Sequence, residues 1–483
     1  MSVCSKCGFD EYCATQTLSH IDLRRRLSEL DAIISSLTSQ RRALQAVSDA
    51  IIYPVLSLPP EITAEIFLHC LPSGTCVEPS LSAAPLLLTQ ICRQWRQIAL
   101  DTPGLWSSLQ ITNEENQEIS IELVSLWLSR SGTLPLDINF HWWDESRVGS
   151  AIVAGISFAS RWRDIELALP LTSFAHLDLR MVSMPNLRTL VVRQLYSLQN
   201  DAVSRTLELI PAPSLRDLKL FTFPDVKVNA PWVQLTSLTL ARVDIRDGLL
   251  VLGGCTNLLH FEVSTTGNIT GVADTLILHS LVTLACHFGR SGSDSILEHL
   301  TLPHLLRLRV AAFSDTSHVT IFKDFIHRST CSLQSLALVA KEQMSPETLL
   351  EFLRCAPASV SELELLGRDE YSKFPVGTFS TLNPDLVLPH LQAIHLRGGG
   401  STVDGEYQSL VGMVRARRDR DPVMLERLAC EFCLGRSEVR LTSPSVLQLA
   451  QLKALAAPSL LRPQMSLTVA IMTPSTKETE IPR

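Results

Sequence analysis

Several short stretches of this chain carry residue types that can do chemistry, and each fails for a stated reason. Cys4-x-x-Cys7 with Cys13, and Cys430-x-x-Cys433 far along the chain, offer thiols of the kind that hold structural zinc. Cys4, Cys7 and Cys13 complete a tetrahedral set only with a further ligand such as His20, and the expectation is that no metal is held. Gly289-Arg290-Ser291-Gly292-Ser293 is not Gly-x-Ser-x-Gly and follows no nucleophile-elbow strand, so it reads as a loop. Gly398-Gly399-Gly400-Ser401-Thr402 lacks the lysine of a phosphate-binding loop and reads as a turn after a strand at Ile394–Leu396. Arg415-Ala416-Arg417-Arg418-Asp419-Arg420-Asp421 alternates cations with acids where a helix ends, which favours a solvated helix end over a nucleic-acid site. Trp142 and Trp143 read as packing residues. No catalytic group stands out, so the chain is expected to be neither an enzyme nor a cofactor carrier.

The elements around these stretches explain the chain better. Its 483 residues suggest about three structural units. Lys and Arg number 42 against 49 Asp and Glu, a net charge of −7 that argues against a general nucleic-acid binder. A 46% hydrophobic share supports a large core, and with only 6% aromatics leucine must fill it. The 12 cysteines are scattered and several lie in apolar runs such as Leu284-Ala285-Cys286, which suits a reducing compartment, cytoplasm or nucleus. The N-terminal residues have no apolar core of a secretory signal. The best uncharged stretch, Thr275 to Phe288, is too short to span a bilayer.

Residues 1–17 show no periodicity and read as a flexible tail. Over 18–52, Leu23, Leu27, Leu30, Ile34, Leu37, Leu44 and Ile51 fall on a heptad seam interrupted at Arg41 and Ser48. This is a coiled-coil-like helix, either a weak homodimer through 20–52 or an amphipathic helix packed on its own chain; the short, interrupted seam favours the latter. Tyr53-Pro54 and Pro59-Pro60 stop it. A new helix follows through Glu61 to Leu68 with Pro60 in its first turn, and a second helical stretch runs from Leu86 to Leu100.

Leu58-Pro59-Pro60-Glu61-Ile62, Glu65-Ile66-Phe67, Ile91-Cys92-Arg93-Gln94-Trp95-Arg96-Gln97-Ile98-Ala99 and Pro103-Gly104-Leu105-Trp106, in that order, resemble the F-box-like motif of large fungal (basidiomycete-type) families. The resemblance covers 53–112 and implies a small all-α module that docks to the adaptor subunit of a cullin–RING ubiquitin ligase. The residues implied for that contact are Leu58, Pro59, Ile62, Ile66, Phe67, Leu87, Ile91, Trp95, Ile98, Leu105 and Trp106. The physical reading agrees in kind, because two or three short helices cannot bury both faces by themselves.

From 113 to 440 a pattern of apolar-x-x-apolar-x-apolar recurs. Copies begin at Leu187, Leu215, Leu235, Leu258, Leu281, Leu305, Leu333, Val360, Leu391 and Leu425, with an earlier one at Trp162 and a first strand at Leu134–Phe140. The spacing resembles irregular leucine-rich repeats, without the Asn or Cys that usually follows the strand. The expected fold class is therefore α/β: an N-terminal helix, an F-box-like module, then a repeat solenoid with a parallel strand face and helices behind it. Helices are expected over His318–Arg328, from Ser345 to Pro357, and over Gly405–Arg418, with a cap and tail at 441–483. The x positions of the repeats face outward, and Arg188, Arg216, Lys219, His260, Glu262, Arg307, Arg309 and Glu362 are the candidates to bind a target protein.

The function these readings imply is substrate recognition for an SCF-type ubiquitin ligase, with the target on the repeat face and no membrane or nucleic-acid partner. The alternative is an interaction scaffold of the same architecture that does not serve ubiquitin transfer.

Overall fold

The computed structural model describes residues 20–50, 54–72, 74, 76–112, 121–141, 153–170, 179, 182–195, 205–210, 212–221, 226–266, 275–287, 295–313, 316–340, 345–367, 378–382, 387–399, 404–418, 425–433, 453–455 and 466–472. The chain forms two compact units: Met1–Cys70 with Leu88–Leu100, and Leu71–Leu87 with Asp101–Arg483.

The first unit is helical. A long helix spans His20–Ala50, a 3₁₀ turn Pro54–Ser57, and helices follow at Pro60–His69, Leu88–Ile91 and Arg93–Leu100. Pro60 takes the first turn of its helix, where its missing N–H costs nothing, and the Cys70 N–H closes the other end on the Ile66 carbonyl at 3.1 Å. The stretch expected as one helix to Leu100 is split at Cys92. There Trp95 N–H donates to Cys92 Sγ at 3.4 Å and Arg96 N–H to the Cys92 carbonyl at 2.9 Å, so the cysteine starts a new helix. Gln94 Nε2 donates to the Leu56 carbonyl at 3.3 Å and ties that helix to the proline-rich lead-in.

The second unit is a mixed α/β fold of solenoid-like class, built on a 14-stranded sheet. Its strands are β1 (Ser108–Thr112), β2 (Leu136–His141), β3 (Trp162–Pro170), β4 (Thr189–Leu195), β6 (Asp217–Phe221), β8 (Ser237–Asp244), β9 (His260–Thr266), β11 (Thr283–His287), β13 (Arg307–Phe313), β14 (Ser335–Ala340), β15 (Glu362–Gly367), β16 (Ala393–Gly399), β17 (Arg427–Cys433) and β18 (Ser466–Met472), side by side in that order. The intervening strands β5 (Arg205–Glu208), β7 (Val226–Asn229), β10 (Leu276–Ile277) and β12 (Leu300–Thr301) form two small parallel pairs of their own, β5 with β7 and β10 with β12.

One row of the register explains the sequence pattern. Ile138, Ile165, Leu190, Leu218, Leu238, Phe261, Leu284, Leu308, Leu336, Leu363, Ile394 and Leu428 are partners across successive parallel strands. All are buried. A slip by one residue would turn the whole row to the open face, so this aliphatic row itself holds the register. Helices at Ile245–Gly253, Thr316–Ser329, Pro346–Cys355 and Asp404–Arg418 occupy returns between strands. Phe322 and Phe352 stack between two of them with ring centroids 4.1 Å apart. Ser345 caps its helix as its position suggests, accepting from Thr348 N–H at 3.1 Å, with Pro346 at the first position.

Without the usual Asn or Cys, the returns are tied by another ladder. The polar residue just before the first leucine of a repeat donates to a main-chain carbonyl of the repeat before: Asn186 to Ser160, Ser214 to Pro185, Gln234 to Ala212, Asn257 to Val233, Ser280 to Thr256 and Ser359 to Leu333. These distances run from 2.6 to 3.1 Å, so the carbonyls of the returns are satisfied by side chains one repeat on.

Several elements differ from the sequence reading. The first strand is β1, inside the stretch assigned to the helical module; its five residues, with Leu109 and Ile111 buried, are too short for a clear period. Its edge is covered by the segment before the second helical stretch, where Gln110 N–H meets the Val77 carbonyl at 2.7 Å and Thr112 Oγ1 meets Glu78 Oε1 at 3.2 Å. A helix at Ile121–Arg130 fills a stretch with no expected element, and β18 extends the sheet into 441–483, where a cap and tail are expected. Gly398 and Gly399 end β16 rather than forming a turn. Two arginines of the expected solvated helix end are inside, Arg417 and Arg418 being 2% exposed, while Arg415 is exposed as expected. Arg417 reaches the carbonyls of Leu382, Leu388 and Val387 at 2.8, 2.9 and 3.2 Å, a use of a guanidinium that charge alternation does not reveal.

Candidate functional site

The expected docking residues divide into surface and core. In the helical unit Ile62 (51% exposed), Ile66 (44%) and Ile91 (53%) lie open, with Ile62 and Ile66 one turn apart on Pro60–His69. Pro59 is exposed, and Leu58 and Trp95 are half-buried. Phe67 is buried, its ring 5.0 Å from Trp95 in an edge-to-face pair, and Ile98 is buried too. In the sheet unit Leu87 is exposed. Leu105 and Trp106 are fully buried there, with Trp106 edge-on to Trp127 at 4.9 Å and Arg130 over its ring at 4.7 Å. Phe67, Ile98, Leu105 and Trp106 therefore hold cores together and offer no surface. The seam of the long helix, Leu23, Leu27, Leu30, Ile34, Leu37 and Leu44, is exposed throughout.

The expected target-binding residues all lie on the sheet unit. Arg188, Arg216, His260, Glu262, Arg307 and Arg309 are exposed, and Lys219 and Glu362 are partly so. Arg427 Nη2 pairs with Glu362 Oε1 at 2.6 Å, and His395 Nδ1 meets Glu364 Oε1 at 3.1 Å. The His395 hydrogen bond outweighs burial and holds the Glu364 carboxyl below its ordinary range.

A cluster of charges lies on the earlier strands, and of the sequence candidates it contains Lys219. An open groove of about 730 Å³ runs over β2, β3, β4 and β6 beside Cys76. Alternation puts Asp137, Asn139 and His141 of β2, and Asp164 and Glu166 of β3, on the face opposite the buried row. Arg163 Nε donates to Asp137 Oδ1 at 2.8 Å, its Nη2 donates to Asp137 Oδ2, and the same guanidinium lies 3.4 Å from Asp164. Glu166 takes Arg193 at 2.7 Å and His141 at 3.3 Å, and hydrogen bonding by His141 and Arg193 against burial brings it down to about 2. Arg193 also lies over the Phe221 ring at 3.9 Å. Lys219 pairs with Asp217 at 3.6 Å. Burial, with Asp137, Glu166 and Asp164 nearby, pushes the Cys76 thiol up to about 12, so it stands as an uncharged wall of the groove. The alternation around Ile138 and Ile165 could have exposed these carboxylates to a reader of sequence; nothing local marks Cys76.

Burial likewise pushes the Cys255 and Cys286 thiols up to about 12, as suits packing residues. Among the described residues no cluster of His, Cys, Asp and Glu is arranged to hold a metal, and no helix is long and apolar enough to cross a membrane. Cys4, Cys7, Cys13, Trp142, Trp143 and the loop at Gly289–Ser293 lie outside the described residues. A scan of family models finds no match to the chain, and a search of curated proteins finds no relative.

Proposed function

We propose that this chain is a non-catalytic substrate-recognition subunit of a cullin–RING ubiquitin ligase. Its short helices Pro60–His69 and Leu88–Leu100 dock to the ligase adaptor, and the open face of the sheet holds the target protein. The observation that carries this reading is the exposure of Ile62, Ile66 and Ile91 on helices of ten and four residues, large aliphatic side chains left for a partner to cover. The F-box-like order of motifs supports the ligase adaptor as that partner, and the leucine-rich-repeat-like spacing supports the sheet as the place of the target. The chain itself contributes no catalytic group and no cofactor. It works by tethering, which raises the effective concentration of the target near the transferring enzyme. Cytoplasm or nucleus is the compartment in which such a complex acts. The exposed seam of His20–Ala50 adds weak self-association.

The test is co-elution of the full chain with the purified adaptor, repeated with Ile62→Asp, Ile66→Asp and Ile91→Asp combined. Wild type co-elutes and the triple variant, folded by circular dichroism, does not. A wild type that never co-elutes leaves the scaffold alternative.

A further inference from the structure

We propose that the groove over β2, β3, β4 and β6 binds a basic side chain, the ammonium or guanidinium of a lysine- or arginine-bearing segment of the target. This rests on reading the strand face as the target-binding face, though not on ligase docking.

The first observation is the hydrogen-bond inventory. Asn139 is 8% exposed and forms part of the groove, and its Oδ1 has no hydrogen-bond partner. That buried oxygen is an acceptor left without a donor, so a ligand that arrives with N–H groups gains what the free protein lacks.

The second is charge. The groove's own lining carries Asp137, Asp164 and Glu166 against Arg193 and Lys219, and those two cations are already engaged by Glu166 and Asp217. Arg163 is shared between Asp137 and Asp164, which leaves Asp164, with its side chain 48% exposed, the carboxylate least compensated. Register sets Asp164 beside Asp137 and Asn139 beside Glu166, so one donor head can address Asp164 and Asn139 together. The third is the apolar wall of Cys76 and Val191, against which a lysine or arginine stem can lie with its charged end inward. An anionic ligand would meet the uncompensated carboxylate and bring no donor to Asn139 Oδ1.

Fluorescence polarisation of the full chain at physiological salt, with fluorescein-labelled Ala-Lys-Ala-Lys-Ala-Lys-Ala and its glutamate counterpart, tests this. The lysine peptide should bind and the glutamate peptide should not. Asp164→Asn and Asn139→Leu should each weaken the lysine peptide about tenfold, the size of a lost charged hydrogen bond. Glu351→Gln makes the same charge change on the exposed side of the helix Pro346–Cys355, in the return after β14, seven strands from β3 and roughly 34 Å at about 4.8 Å per strand, beyond the Debye length, and should shift binding less than about twofold. Unfolding midpoints check each variant, and the half-exposed Asp164 keeps the test standing if Asn139→Leu fails to fold. Preference for the glutamate peptide, no binding by either peptide, or equal weakening by Asp164→Asn and Glu351→Gln overturns the proposal. Basic-peptide binding in a chain that never co-elutes with the adaptor would sustain the groove and sink the ligase reading.

Discussion

The repeated aliphatic side chains of the sheet unit are inside, whereas those of the helical unit at comparable sequence regularity lie outside. Leu190, Leu218, Leu284 and Leu308 are at most 1% exposed, while Leu27, Ile34, Ile62 and Ile91 are at least half exposed. Both regions have a periodic apolar pattern. A parallel strand gains a neighbour on each side and a layer of returns behind, so its apolar face is saturated within the chain. A ten-residue helix presents its outer face to solvent and depends on something else to cover it. The same residue type therefore fills a core in one unit and lies uncovered in the other.

Mutations should separate the two meanings. The largest effect is expected at Trp106→Ala, which removes a fully buried ring packed on Trp127 and should cost about 3–5 kcal/mol by urea unfolding. Leu218→Ala, in the buried row, should cost about 2–5 kcal/mol in the same measurement. Ile62→Ala, by contrast, should stay within about 0.5 kcal/mol while weakening adaptor capture; a large stability loss there would erase the contrast between the units. Ser345→Ala should cost about 1 kcal/mol by removing a helix cap.

A smaller effect depends on pH. Glu166 is held at about 2 against an ordinary 4.5, so the folded state favours its charged form. Its contribution to stability is complete above the ordinary value and is lost as pH falls through about 2. The stability gap between wild type and Glu166→Gln should be widest at neutral pH and close steadily between about 4.5 and 2. A gap that stays constant over that window would remove Glu166 from the electrostatics of the groove.

Much of the sheet could be read in advance because leucine spacing is a direct image of strand register. The rows from Leu187 to Leu425 were visible for that reason, as was the Ser345 cap. Short elements were harder. β1 has five residues, and its edge is covered by a segment that sequence order assigns to a loop between helices. Buried polar uses were harder still: Arg417 looks like any surface arginine until the carbonyls of Leu382, Val387 and Leu388 converge on it. Of the candidate surfaces, Ile62, Ile66 and Ile91 were legible from helical spacing. Phe67, Ile98, Leu105 and Trp106 share their chemistry but not their exposure, which spacing alone does not distinguish. The groove was legible only in part, because Asp164 and Glu166 follow from alternation, whereas Cys76 comes from a distant segment.

The most direct measurement is hydrogen–deuterium exchange of the full chain with and without the ligase adaptor. The account predicts slowed exchange confined to residues 58–69 and 88–100, with the strands from β2 to β17 unchanged. Protection appearing on the sheet and absent from those helices would contradict it.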